Sequence, residues 1–135
     1  MNPLLTLVIH MAVVTWLTIL AAGLIRVKGW TLAGTLLAFG NRDNLPEASA
    51  FAGRAERTAR NTVENFVLFA AIALIAQAAA PQSPRILLGA QVFFWSRLLF
   101  IPVYYAGIKY LRTVVWLASI AGLGMMVYAL LQGAA

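Results

Sequence analysis

Cysteine is absent from the 135 residues, which removes disulfides, thiolate metal sites and any sulfur nucleophile carried by the chain itself. Thiol chemistry here would need a thiol brought by a ligand. Histidine is almost absent too: His10 stands alone, so no metal site is expected. Charged residues make up only 10% of the chain, far below the quarter usual in soluble domains, and just four are acidic. Short alternating segments with frequent turns are missing, which excludes a small membrane β-barrel. No basic segment precedes the first apolar stretch, and that stretch outruns the roughly 7–15 residues of a signal-peptide core. It is therefore read as a retained helix.

What the chain has is hydrophobicity: 62% of its residues are apolar and the mean hydropathy is +0.85. Apolar runs of about 20 residues recur, the length that crosses a hydrocarbon core of about 30 Å. Backbone in lipid must satisfy its own hydrogen bonds, so these runs are helices. The expectation is an all-α integral membrane protein, a single domain over residues 1–135, with spans at about 4–25, 63–80, 86–105 and 114–131.

Between spans one and two lies a long loop with Gly29, Gly34, Gly40 and the turn-prone Asn41–Asn44. Its Leu32, Leu36, Leu37 and Phe39 suit it to lie at the membrane interface or to pack under the bundle. Asn44 as N-cap, Pro46 in the first turn and Glu47 at the positive helix end predict one helix from about Pro46 through Ala80. Pro102 predicts a kink in span three, and Ala118, Gly122 and Gly124 predict close helix approach in span four.

Charge gives orientation. Arg26, Lys28, Arg42, Arg54, Arg57 and Arg60 lie between spans one and two, and Lys109 and Arg112 between spans three and four; the other side has Arg85. The positive-inside rule puts both basic loops in the cytoplasm and both termini outside. A net charge of +6 also suits anionic lipid head groups or an anionic substrate, and nothing in the pattern suggests nucleic acid.

Arg54, Arg57, Asn61 and Glu64 follow one another at spacings of three, four and three, which stacks them on one helical face at the mouth of span two. Guanidiniums bind carboxylates bidentately, a carboxylate binds ammonium, and an amide offers both donor and acceptor, so the face suits a small zwitterion. The plainer alternative makes Arg54, Arg57 and Arg60 membrane anchors, with Glu64 pairing Arg60 one turn back. Arg97 falls inside span three, where insertion costs about 2.5–3.5 kcal/mol, so it needs an internal partner. Glu64 is the nearest by depth and sign, as a structural ion pair or as the wall of a polar cavity floored by Arg97. Tyr104 shares Arg97's face two turns on, either inward or as an aromatic-belt residue. Arg112 is an anchor or a stabiliser of a bound thiolate, since a free thiol with a pKa of about 8.5 is only a few per cent ionised at neutral pH.

Arg54-x-x-Arg57-x-x-x-Asn61-x-x-Glu64 ahead of span two, then Arg97, Tyr104 and Arg112, resembles the MAPEG family, the membrane-associated proteins in eicosanoid and glutathione metabolism. The resemblance covers nearly the whole chain. It implies a homotrimer of four-helix protomers with glutathione bound between neighbours on the cytoplasmic side. By that analogy Arg54, Arg57, Asn61 and Glu64 hold glutathione with Tyr104 beside it, Arg97 lies at the base, Arg26 is a further contact, and Arg112 stabilises the thiolate. Gly53, Asn65 and Phe100 depart from the pattern, each removing a polar contact. The chain looks more like the bacterial branch, in an inner membrane.

Three functions compete at this point. The first is a glutathione-dependent transferase or peroxidase acting on lipophilic electrophiles that arrive laterally from the bilayer. The second is a non-catalytic lipid- or partner-binding protein of the same fold. The third is a small multidrug-type transporter, which would more naturally carry a membrane carboxylate in span one; this chain has none there.

Overall fold

A computed structural model describes residues 1–133, so the last two residues of the expected 1–135 domain lie outside the described residues. Five helices follow in order: α1 (Pro3–Val27), α2 (Leu32–Phe39), α3 (Ala50–Ala79), α4 (Pro84–Tyr105) and α5 (Lys109–Leu131). All but α2 are long and apolar enough to cross a membrane, and no strand occurs among the described residues. The protomer is thus an all-α bundle of four membrane-spanning helices.

Local chemistry sets most helix starts. Asn2 Oδ1 accepts from the Leu4 amide at 2.7 Å with Pro3 opening α1, and Ser83 Oγ accepts from Ile86 with Pro84 opening α4. α3 begins at Ala50 rather than about Pro46, because Ser49, not Asn44, supplies the cap: its Oγ accepts from the Ala52 amide at 3.1 Å. At 30 residues α3 is about 45 Å long, more than the hydrocarbon core, so its first turns stand clear of the span.

α5 begins earlier than the expected span four, and the reason lies in the turn before it. Gly107, at φ 74°, takes the left-handed position, while the Ile108 amide donates to Val103 O and the Gly107 amide to Tyr104 O. This Schellman closure ends α4 within a turn of Pro102 and lets α5 start at Lys109. Arg112 therefore opens α5 and does not close α4.

The bundle is held by packing rather than by exclusion of water, because lipid competes for apolar side chains as well as the interior does. Phe69 of α3 stacks on Phe93 of α4 with centroids 4.4 Å apart, among buried Met11, Ile86 and Met126. α4 and α5 meet backbone to backbone at Gly89 and Gly122, where a Cβ on Gly122 would come within 2.7 Å of Phe93 N and Gly89 O. Gly124, expected to share this role, faces open space.

Candidate functional site

The buried strip of α3 runs Ala52, Ala55, Thr58, Ala59, Thr62, Asn65 and Phe69, at helical spacing, and turns small and polar toward the extramembrane end. Thr58 and Thr62 return their hydroxyls to carbonyls one turn back, so they sit in the core without unmet donors. Beside this strip stand Arg54, Arg57 and Asn61, and each ties α3 to another element. Arg54 Nε donates to Tyr105 O at 2.9 Å, Arg57 Nε donates to Tyr104 Oη at 3.1 Å, and Asn61 Oδ1 accepts from Arg97 Nη2 at 2.8 Å.

Arg97 is fully buried, and it pairs with neutral groups. Its Nη2 also donates to Thr62 Oγ1 at 3.2 Å, and its guanidinium lies over the Phe100 ring at 4.2 Å. The expected partner was Glu64. That pairing does not occur: Glu64 is exposed, and the one ion pair among the described residues is Arg26 Nε to Glu56 Oε1 at 3.2 Å. The reason is angular. Glu64 is two positions on from Thr62, about 200° around the axis, so Glu64 turns outward where Thr62 turns in. Glu64 does not pair with Arg60 either. Arg97 Nε and Nη1 are buried without a partner in the protomer.

Tyr104 links the two arginine sets. Its ring lies 5.0 Å from the Arg112 guanidinium carbon and 6.0 Å from that of Arg57. A bowl of about 510 Å³ opens here, lined by Arg54, Arg57, Lys109 and Arg112, with Glu56 and Gly53 on its wall. Arg112 also lines a neighbouring cavity of about 210 Å³ with Asn61, Phe100, Tyr104, Thr113 and Trp116. Glu56 is engaged by Arg26, so the bowl is strongly positive. Ile108 gives α5 no side-chain cap, and its first-turn residues Lys109 and Arg112 add their charge to the positive end of that helix. By comparison, the cavity of about 490 Å³ at the opposite end has no charged side chain in its lining.

Six residues expected from the sequence therefore gather on the α3–α4–α5 seam: Arg54, Arg57, Asn61, Arg97, Tyr104 and Arg112. Arg26 reaches the bowl only through Glu56, and Glu64 faces outward. The sequence pattern did not point to Thr62, Glu56, Thr113 or Trp116. The departures have structural work: Phe100 carries the Arg97 guanidinium, and buried Asn65 donates from Nδ2 to Asn61 O at 2.8 Å and Oδ1 at 3.3 Å. Gly53 lies beside the Arg57 guanidinium, where a Cβ would come 3.3 Å from Nη1. No cluster of three or more His, Asp or Glu residues among the described residues could hold a metal ion.

A family model for the MAPEG family matches residues 3–132 of the chain. No curated protein and no solved structure matches it.

Proposed function

The chain belongs to the MAPEG family, whose members are glutathione transferases, peroxidases or related membrane proteins, and on that premise we propose that it is a glutathione-dependent transferase or peroxidase of the bacterial, microsomal glutathione transferase-like kind. The observation that carries the reading is Arg97: a fully buried guanidinium with two unpartnered donors, bonded to Asn61 of the cavity that adjoins a bowl of four cationic side chains. Such a site favours an anionic ligand, since a buried charge without a counter-charge is costly. Glutathione fits this donor set, with two carboxylates for the guanidiniums and an ammonium for an acid.

When bound, glutathione would supply the sulfur nucleophile for attack on a lipophilic electrophile. Arg54 and Arg57 are the proposed carboxylate holders, already steered by Tyr105 O and the Tyr104 hydroxyl. Arg112, braced on the Tyr104 ring at the uncapped start of α5, is the proposed stabiliser of the thiolate. An apolar groove of about 440 Å³ between α1 and α4, lined by Val14, Leu17, Ala21, Ile101 and Pro102, supports entry of the second substrate from the bilayer.

Glu64 supports a homotrimer with shared sites. An exposed carboxylate beside the apolar stretch Phe66–Ala80, without a cation in its own protomer, calls for a neighbouring copy or the ligand ammonium to face it. The cationic character of the site favours this reading over a cation-exporting transporter.

The test is glutathione titration of the purified protein in detergent, following thiolate absorbance in the ultraviolet, with Arg112→Ala alongside. A saturable signal lost in the variant supports the reading. Binding without the signal favours a non-catalytic holder of glutathione, and no binding overturns the glutathione reading.

A further inference from the structure

The short helix α2 is built inside out for a water-facing segment. Its Gly34 is buried against the end of α1, where a Cβ would overlap the Val27 and Lys28 carbonyl groups. On the opposite side lie Leu32, Leu36 and Phe39, 77%, 65% and 85% exposed, with Trp30 just ahead at 69%. Steps of four and three residues keep the three α2 side chains within about 60° of arc, and Gly34 is about 140–160° from each. A helix on a soluble surface shows the reverse pattern.

This placement is fixed rather than loose. Thr31 caps α2 through its Oγ1 to the Gly34 amide and also donates to Lys28 O, while Thr35 Oγ1 donates to Gly29 O at 3.0 Å. The Gly34 side of α2 is therefore held against the end of α1, and the apolar stripe faces away from it. With 25 residues, α1 is about 37 Å long, so Val27 lies at or just beyond the edge of a hydrocarbon core of about 30 Å. The stripe thus sits at the level of the lipid head groups. The last turns of α1 carry exposed apolar side chains as well, Leu20 and Leu24.

Cations stand at both ends of α2. Lys28 and Arg42, both exposed, are the two non-glycine residues with positive φ among the described residues, at 54° and 62°. That conformation is uncommon for long side chains. Gly29 and Gly40 lie close by, yet the left-handed positions carry a lysine and an arginine.

The geometry points to α2 as an interfacial anchor: Trp30, Leu32, Leu36 and Phe39 dip into the head-group layer of the bilayer, and Lys28 and Arg42 engage anionic lipid head groups at its ends. Trp beside apolar residues flanked by cations is the chemistry that favours this layer. The anchor holds the loop joining α1 to α3 against the membrane surface, with α2 itself packed on α1 alone among the helices. This inference is independent of what the bowl binds.

The chain has no cysteine, so a single introduced one carries a unique label. The full chain bearing Phe39→Cys, Leu36→Cys or, as a loop control, Asn44→Cys is labelled with an environment-sensitive fluorophore and placed in phosphatidylcholine nanodiscs with and without phosphatidylglycerol. The anchor predicts blue-shifted emission at positions 36 and 39. It also predicts quenching there several-fold stronger by lipid spin-labelled near the head group than by aqueous iodide, and the opposite order at position 44. With Lys28→Gln and Arg42→Gln together, the extra blue shift produced by phosphatidylglycerol should be lost. Iodide quenching at 36 and 39 equal to that at 44 overturns the proposal, because the stripe is then in water. Shielding from both quenchers, with self-quenching relieved on dilution by unlabelled chains, overturns it in favour of a second copy covering the stripe.

Discussion

Arg97 holds a charge in the bundle interior with only Nη2 hydrogen-bonded, and both acceptors have other support: Asn65 Nδ2 reaches Asn61 Oδ1 at 3.3 Å, and Thr62 donates to Thr58 O. Replacing the guanidinium by an apolar chain of similar length removes two unmet donors and strands little. Arg97→Met should therefore melt within about 1 kcal/mol of the parent, or above it, in ligand-free detergent solution. Arg97→Ala leaves a cavity beside Phe100 and should lose about 3 kcal/mol. Both variants should lose glutathione binding, so a thermal melt and a titration on the same samples separate the structural role from the ligand role. Tyr104→Phe makes a narrower test. It keeps the ring under Arg112 but removes the acceptor for Arg57 Nε, a half-open contact at the bowl, so stability should change by less than about 0.5 kcal/mol. Glutathione affinity should fall roughly tenfold while the thiolate signal at saturation stays, because a misplaced Arg57 weakens carboxylate binding and leaves Arg112 in place. At this scale the sequence revealed residue types and not their bonding. A spacing of three, four and three puts Arg54, Arg57, Asn61 and Glu64 on one stripe, but which side of α3 packs on α4 decides that Asn61 reaches Arg97 while Glu64, about 200° from buried Thr62, turns away. Thr62 was hidden for the same reason, since a threonine in a span is usually just a side chain that bonds its own helix.

The two glycines of α5 share a chemistry but not a place. A methyl at Gly122 would meet backbone atoms of Phe93 and Gly89, which cannot rotate aside, so Gly122→Ala should push α4 from α5 and cost about 1–3 kcal/mol. A methyl at Gly124 meets nothing, and Gly124→Ala should be neutral or stabilise by up to about 1 kcal/mol through backbone entropy alone. Melting the two single variants side by side in one detergent checks the pair, and equal shifts would contradict the glycine crossing. The long helices were legible because an apolar run of span length has few other solutions in lipid. Their ends were less so. The sequence offers Asn44 as the cap of α3, yet any of several oxygen-bearing residues before Ala50 can cap, and the choice depends on where the chain leaves α2. From sequence α2 is only a partly apolar loop, since eight residues with a glycine inside are too short to announce a helix; its contact with the end of α1 makes it one.

Charge is distributed over the molecule with one dominant asymmetry. Arg26, Lys28, Arg42, Arg54, Arg57, Arg60, Lys109 and Arg112 all belong to the end of the bundle that holds the bowl, while Arg85 stands near the turn between α3 and α4 at the other end. Folding alone does not require this, for most of these side chains are exposed and exposed charges contribute little to stability. Insertion does favour it, because short loops rich in lysine and arginine are retained on the cytoplasmic side. On the proposed cytoplasmic orientation of this end, the positive bowl faces the compartment that supplies a soluble anionic thiol peptide, so orientation and proposed function depend on one feature. In a bacterial inner membrane, a Gln82→Cys variant, altered in the exposed turn after α3, should react with a membrane-impermeant maleimide on intact spheroplasts. An Asn41→Cys variant, altered in the exposed segment after α2, should react only after lysis. Reaction at position 41 in intact spheroplasts, with position 82 protected, would invert the molecule and put the bowl outside, where no cytoplasmic thiol reaches it. In the proposed homotrimer, Glu64 faces a neighbouring copy and not its own chain. Labelling at 82 and 41 reads orientation without depending on that contact, since both positions lie outside the packed seam of the bundle.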